Sequence, residues 1–211
     1  MKFFRCALIF LFSLLLFSCA ESVADVVSAS STTIFDFADS ENPPEQRLAV
    51  FLQVTNEVQR TDSFKISHDK TGYVWNVIKP GIFTGQNKSY AFSLNLNAPE
   101  CENIPEGEYT VTYFDAAGNE DSVKFTVTYK KELISSNSQN VKALLQGATE
   151  NIAIYDDSGE LLFMGKPKNT WASNEIILKD YKLAESKRLC YVTSGNTIIC
   201  MLPAEKLKSG E

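Results

Sequence analysis

From about residue 32 to residue 129, the apolar side chains of this chain recur with a period of two. That is the spacing of strands with one face buried and the other wet. Leu48, Val50, Leu52 and Val54 alternate with Ala49, Phe51, Gln53 and Thr55. Phe64 and Ile66 precede a turn at residues 69–72, and Tyr73, Trp75 and Val77 follow it. Tyr90, Phe92, Leu94 and Leu96 form another run, read as facing the core, before a last hairpin of Tyr109, Val111 and Tyr113 with Val123, Phe125, Val127 and Tyr129. Six or seven short strands with no helical stretch among them set the class as all-β and predict a β-sandwich over residues 32–130.

The second half echoes the first. The segment from Phe64 to Gly72 that runs on to Pro80 is mirrored by Ile152 to Gly159 running on to Pro167, and each glycine stands eight residues before its proline. A strand at residues 175–178 and a Gly195-Asn196 turn would complete the correspondence with the strand at residues 90–96 and the Gly118-Asn119 turn. The reading is a smaller β module over residues 141–204, either a tandem copy of the first or an unrelated β appendage. Residues 131–140 read as a polar linker, Val141 to Leu145 as a strand or one helical turn, and 205–211 as a tail with a frayed helix.

Before the sandwich comes an export signal. Lys2 and Arg5 precede twelve almost wholly apolar residues, Cys6 to Phe17. That run is too short to span a bilayer, which needs about 20 residues, and has the layout of a secretory signal peptide over residues 1–18. The stretch Leu16-Phe17-Ser18-Cys19 resembles a bacterial lipobox, whose cysteine is acylated and becomes the new N-terminus. The resemblance implies a membrane anchor of two or three acyl chains on Cys19, with residues 19–31 as lipidated cysteine and flexible tether. Plain secretory cleavage beside an ordinary Cys19 and an uncleaved anchor are the alternatives. Ala20 is not the aspartate that retains enteric lipoproteins at the inner membrane, which points to the outer membrane or cell surface.

The chain has 26 acidic and 20 basic residues, and loss of Lys2 and Arg5 takes the net charge from −6 to −8. With no basic run, neither nucleic acid nor an anionic lipid surface is an expected partner.

Cys190 and Cys200 each lie five residues from Gly195 in the second hairpin. A turn centred there would oppose them and allow a disulfide; two thiols facing a core are the alternative. Cys101, in a surface connection, is left idle, bonded to a second chain, or paired with one of the other two.

Motifs of chemistry are few. His68, the single histidine, reads as a solvent-facing strand-end residue, and no nucleophile elbow, metalloprotease helix or phosphate loop is present. Asp115, Asn119, Glu120 and Asp121 crowd one hairpin tip and Asp156 and Asp157 another. Asp115, Asn119 and Asp121 are the nearest approach to a Ca²⁺ site, but lack the regular spacing of a Ca²⁺ loop, so neither metal nor cofactor is expected. Trp171, in a loop, is a candidate ligand contact, or folds back over the second core.

Residues 106–119, Glu-Gly-Glu-Tyr-Thr-Val-Thr-Tyr-Phe-Asp-Ala-Ala-Gly-Asn, with Val123 to Val127, resemble the last hairpin of bacterial immunoglobulin-like and fibronectin-type modules. The resemblance implies a tyrosine corner at Tyr109 and a core tryptophan at Trp75. It further implies a non-enzymatic display, adhesion or scaffold role, in which the protein meets another envelope protein or a glycan. An accessory subunit of an envelope enzyme or transport complex is the second expectation, and a hydrolase with an unrecognised carboxylate pair the third. A glycan binder should cluster aromatics with Trp171, a protein binder should expose an apolar patch near Phe51 or Phe114, and an enzyme should gather carboxylates in a pocket.

Overall fold

The structure, a computed structural model, describes residues 25–55, 58–98 and 103–208. The signal segment, Cys19 and Cys101 lie outside them. Among the described residues the strands form two sheets. The smaller holds β3 (Thr61–His68), β4 (Val74–Ile78), β7 (Gly107–Asp115) and β8 (Glu120–Val127), in the order β4-β3-β7-β8. The larger has nine strands: β1 (Asp25–Asp36), β2 (Glu45–Thr55), β5 (Gly81–Gly85), β6 (Lys88–Asn97), β9 (Thr149–Asp156), β10 (Leu161–Gly165), β11 (Ala184–Val192), β12 (Ile198–Met201) and β13 (Glu205–Lys206). Its order is β10-β9-β11-β12-β1-β2-β6-β5, with β13 paired to β11. The all-β class is as the alternation requires.

The main core lies between the two sheets. Leu48, Val50, Leu52 and Val54 of β2 meet Phe64 and Ile66 of β3, Trp75 of β4, and Tyr109, Val111 and Tyr113 of β7. Full burial of each such aliphatic or aromatic side chain contributes about 1.5–3 kcal/mol. The Tyr109 hydroxyl donates to the Pro105 carbonyl at 2.6 Å, and Trp75 Nε1 donates to the Asn97 carbonyl at 2.8 Å, so both buried polar atoms are satisfied.

His68 is buried, not solvent-facing. The Thr71 amide donates to its Nδ1 at 3.1 Å, which leaves the proton on Nε2, 3.3 Å from the Glu106 carbonyl. The ring stacks obliquely on Tyr109, 4.7 Å between centroids. Packing behind it is Gly107, at φ 140°, where a Cβ would stand 2.8 Å from Nε2. Gly107→Ala is therefore expected to destabilise the protein by about 1–3 kcal/mol, from left-handed strain together with displacement of a ring pinned at both nitrogens. Urea denaturation measures it.

Several expectations are corrected. The tether ends sooner than residue 31: Asp25 already pairs with Thr55, and β1 runs on to Asp36 with one irregularity between Val26 and Ser28. β1 runs antiparallel to β2 on one side and, through Thr33 to Asp36, parallel to β12 on the other. The smaller module is thus not set apart by a linker but completes the same sheet. Residues 131–140 hold two 3-10 turns, and Leu133 there is fully buried with Phe35, Phe37 and Val141 of the short helix α1 (Val141–Leu144). Residues 175–178 are not a strand but part of helix α2 (Asn174–Asp180), whose Ile177 packs on Ile152 and Ile154. The tail holds β13 rather than a helix, with Leu207 buried. Hairpins occur where the correspondence places them, β3–β4 with β9–β10 and β7–β8 with β11–β12, but helix α2 stands where it expects a strand.

The disulfide is also corrected: Cys190 and Cys200 are both free and buried. The register pairs Cys190 with Met201 and Tyr191 with Cys200, so the turn is centred between Gly195 and Asn196 rather than on Gly195. A one-residue offset puts side chains on opposite faces. Cys200 lies inward with Phe35 and Leu133, and Cys190 outward with Ile34 and Ala49. Burial pushes the Cys190 thiol up to about 11 and that of Cys200 to about 12, so both stay protonated and inert.

Candidate functional site

The face of the large sheet turned away from the small sheet carries an apolar trough. It arises because β6 changes face at an irregularity. Phe92 pairs with Phe51 and Ser93 with Val50, but Leu96 pairs with Leu48, so an extra residue is accommodated between Ser93 and Leu96. The core therefore takes Ala91 and Leu96, while Tyr90, Phe92 and Leu94 turn outward. Phe92 stacks on Phe51, 5.7 Å between centroids, and lies over Gly81 of β5, where a Cβ would be 2.5 Å from the ring.

The floor is built on Ile34 from β1, Ala49 and Phe51 from β2, Tyr155 from β9, and Ile199 and Met201 from β12, which cluster with the fully buried Ala153 of β9 and Cys190 of β11. Leu94 on one flank and Leu161 and Met164 on the other line the same trough and are exposed. Its volume is about 460 Å³, and a second hollow of about 530 Å³, sharing Phe51 and Leu94, extends it to Phe83 of β5.

Arg47 is the one charged side chain lining the trough. It donates to the Leu94 carbonyl at 3.0 Å and stands 3.6 Å from Asp36. Asp36 is also held by Arg188 at 2.5 Å, and Arg188 further bonds the carbonyls of Phe37, Met201 and Leu202. Burial raises the Tyr155 phenol above its ordinary value, with smaller contributions from Cys190 and Asp36 opposed by Arg188 and Arg47. The trough can thus hold apolar surface and offers few polar handles, among them Asn151, whose Oδ1 is buried and unpartnered.

The residues singled out from sequence lie elsewhere and apart. Asp115 Oδ1 accepts from the Ala117 and Asn119 amides at 2.9 Å, and Oδ2 from the Asn119 side-chain amide at 3.0 Å. Those bonds, the Asn119 side chain first, hold its carboxyl below the usual carboxylate range. Asp121 Oδ2 accepts the Val26 amide at 2.9 Å, tying β8 to the start of β1. Their oxygens serve the turn and the strand, and among the described residues no cluster of metal-ligating side chains occurs. Trp171 packs against Phe163 and Tyr181 at 5.1 and 5.9 Å, and its indole N–H donates to Asp180 at 2.7 Å. Lys168 bonds the same carboxylate oxygen at 2.8 Å and lies over the indole. Trp171 therefore folds back on the second core, half-buried. Phe114 is half-buried on the outer face of the small sheet and takes no part in the trough.

The sequence did carry a signal for the trough. β2 has Ala49 and Phe51 on the face opposite Leu48 to Val54, so both faces of one strand are apolar. No family model, curated protein or solved structure matches this chain.

Proposed function

We propose that the protein is a non-enzymatic binding module of the bacterial cell envelope, held to the membrane by acyl chains on Cys19, whose apolar trough docks an apolar segment of another envelope protein. The observation that carries this reading is the apolar sheet face running from exposed Leu161 and Met164 through half-buried Ile199 and Phe51 to exposed Leu94. Contiguous exposed apolar surface of this kind marks interaction sites. In a chain of net charge −6, the trough is lined by one cation and no carboxylate. A glycan would need a dense set of polar groups beside an open aromatic ring, and Trp171 has its indole N–H already engaged. An immunoglobulin-like sandwich formed by the small sheet with β1, β2, β5 and β6 is part of the same reading, supported by the Tyr109 hydroxyl bonded four residues upstream.

The test is site-specific photo-crosslinking from Ile199 in intact envelopes, with mass spectrometry of the N-terminal peptide to find acylated Cys19. Leu94→Glu and Met164→Glu together are expected to abolish the crosslinked protein band captured from Ile199, while stability changes by about 0.5 kcal/mol or less, because both side chains are exposed. A band that survives the pair but is lost in Trp171→Ala would refute the trough as the docking face.

A further inference from the structure

One border of the sandwich has neither charges nor bulges within its two edge strands. β5 ends the large sheet and β4 ends the small one, and a two-residue connection, Lys79-Pro80, brings the end of β4 to the start of β5. Their ten residues, Val-Trp-Asn-Val-Ile and Gly-Ile-Phe-Thr-Gly, include no charge. Both are unbroken in register, β5 from Gly81 opposite Phe92 to Gly85 opposite Lys88. The other borders are guarded. β8 carries Glu120, Asp121 and Lys124, and β10 is interrupted between Leu161 and Phe163. Edge strands are ordinarily blunted by such charges and bulges, because a bare edge is a template for another chain. Two of the most exposed large apolar side chains also sit here, Ile78 at 76 % and Phe83 at 57 %.

The sequence of β5 selects the occupant. Gly-Ile-Phe-Thr-Gly is nearly symmetric about Phe83, so a second copy running antiparallel around a two-fold axis at Phe83 meets its own like. Gly81 falls opposite the partner's Gly85, Ile82 opposite the partner's Thr84, and Phe83 opposite its own equivalent. The β-branched pair lies on one face, and on the other is an aromatic pair, each Phe83 ring already lying over its own Gly85, while Phe92 covers Gly81. Lys79, at φ 54°, stands where the chain turns out of the strand, so it does not interrupt the pairing. A two-fold contact requires this kind of self-complementarity, with each residue meeting its symmetry mate's counterpart.

We propose that the protein self-associates as a two-fold dimer through antiparallel pairing of β5 with β5 of a second copy, which joins the two large sheets edge to edge. It rests on the edge of β5 rather than on the trough's partner, although Phe83 also borders the second hollow. The trough test reads Leu94 and Met164, whereas this one reads Phe83.

The experiment uses the full chain in mild detergent. Sedimentation velocity is expected to show a dimer, and Phe83→Lys, which sets two like charges across the axis, to raise its dissociation constant about tenfold or more with an unchanged circular dichroism spectrum. Phe83→Cys is expected to give a disulfide-linked dimer on mild oxidation, since directly opposed residues hold their Cβ atoms about 4.5–5.5 Å apart. Ser122→Cys on β8 and the native chain give the background. A native chain that sediments as a monomer at every concentration overturns the proposal. So does a dimer that is indifferent to Phe83→Lys and whose Phe83→Cys form crosslinks no faster than Ser122→Cys.

Discussion

Replacing Tyr109 with alanine is expected to cost about 3–5 kcal/mol of folding free energy, the range for an aromatic deleted from a close-packed core. Tyr109 has no exposed surface. Its ring stacks on Phe125 at 5.2 Å with planes 6° apart, on Trp75 at 5.9 Å, and obliquely on His68. His68, Tyr109 and Phe125 are register partners across three adjacent strands, so the deletion opens a void in the middle of a row rather than at its end. Tyr109→Phe separates the two contributions. It keeps the stacking and removes only the bond to the Pro105 carbonyl, and should cost about 1 kcal/mol. Equal losses in the two variants, read as midpoints of urea denaturation, would show that the hydroxyl and not the ring carries the effect.

Arg188→Ala is expected to cost about 2–3 kcal/mol, because a partly buried ion pair loses one partner and three carbonyls lose a charged donor. The side chain is 16 % exposed and one guanidinium serves Asp36 and three backbone carbonyls, those of Phe37, Met201 and Leu202. Those acceptors belong to β1 and β12 and the residues that follow each, so Arg188 on β11 clamps the parallel junction from the outer face. Without it Asp36 retains only Arg47, at 3.6 Å. Arg188→Lys should recover less than half of the loss, because an ammonium cannot present a planar fork to several acceptors at once. Guanidinium midpoints of the three proteins decide this. Full recovery by lysine would mean that charge alone matters at the site.

The strands of the main core were legible because their period survives inspection residue by residue. Leu48 to Val54, Phe64 to Ile66 and Tyr109 to Tyr113 all point inward as their alternation demands. Where one residue of register was at stake, the same reasoning misled. The apolar run Tyr90, Phe92 and Leu94 alternates cleanly, yet the irregularity before Leu96 sends it outward and gives the core to Ala91. The cysteine pair fails for the same reason, since counting five residues from Gly195 supposes a turn centred on that residue, and the pairing of Val192 with Ile199 centres it half a residue later. Helix α2 was hidden by its length: Glu175 to Leu178 is too short for its period to separate helix from strand. The trough could not be read as a site from any one segment, because its floor is assembled from β1, β2, β9, β11 and β12, whose adjacency is a property of topology.

The parallel contact of Thr33 to Asp36 with Ile198 to Met201 joins segments more than 160 residues apart in the chain. Synthesis must reach the last strands before the middle of the large sheet can close, so a growing or threading polypeptide stays unfinished until its far end arrives. Architectures dominated by such distant pairings fold slowly, on a scale of about milliseconds to seconds. Truncation before Ile198, which removes all of β12, should therefore open the sheet beside β1 and leave the product prey to proteases.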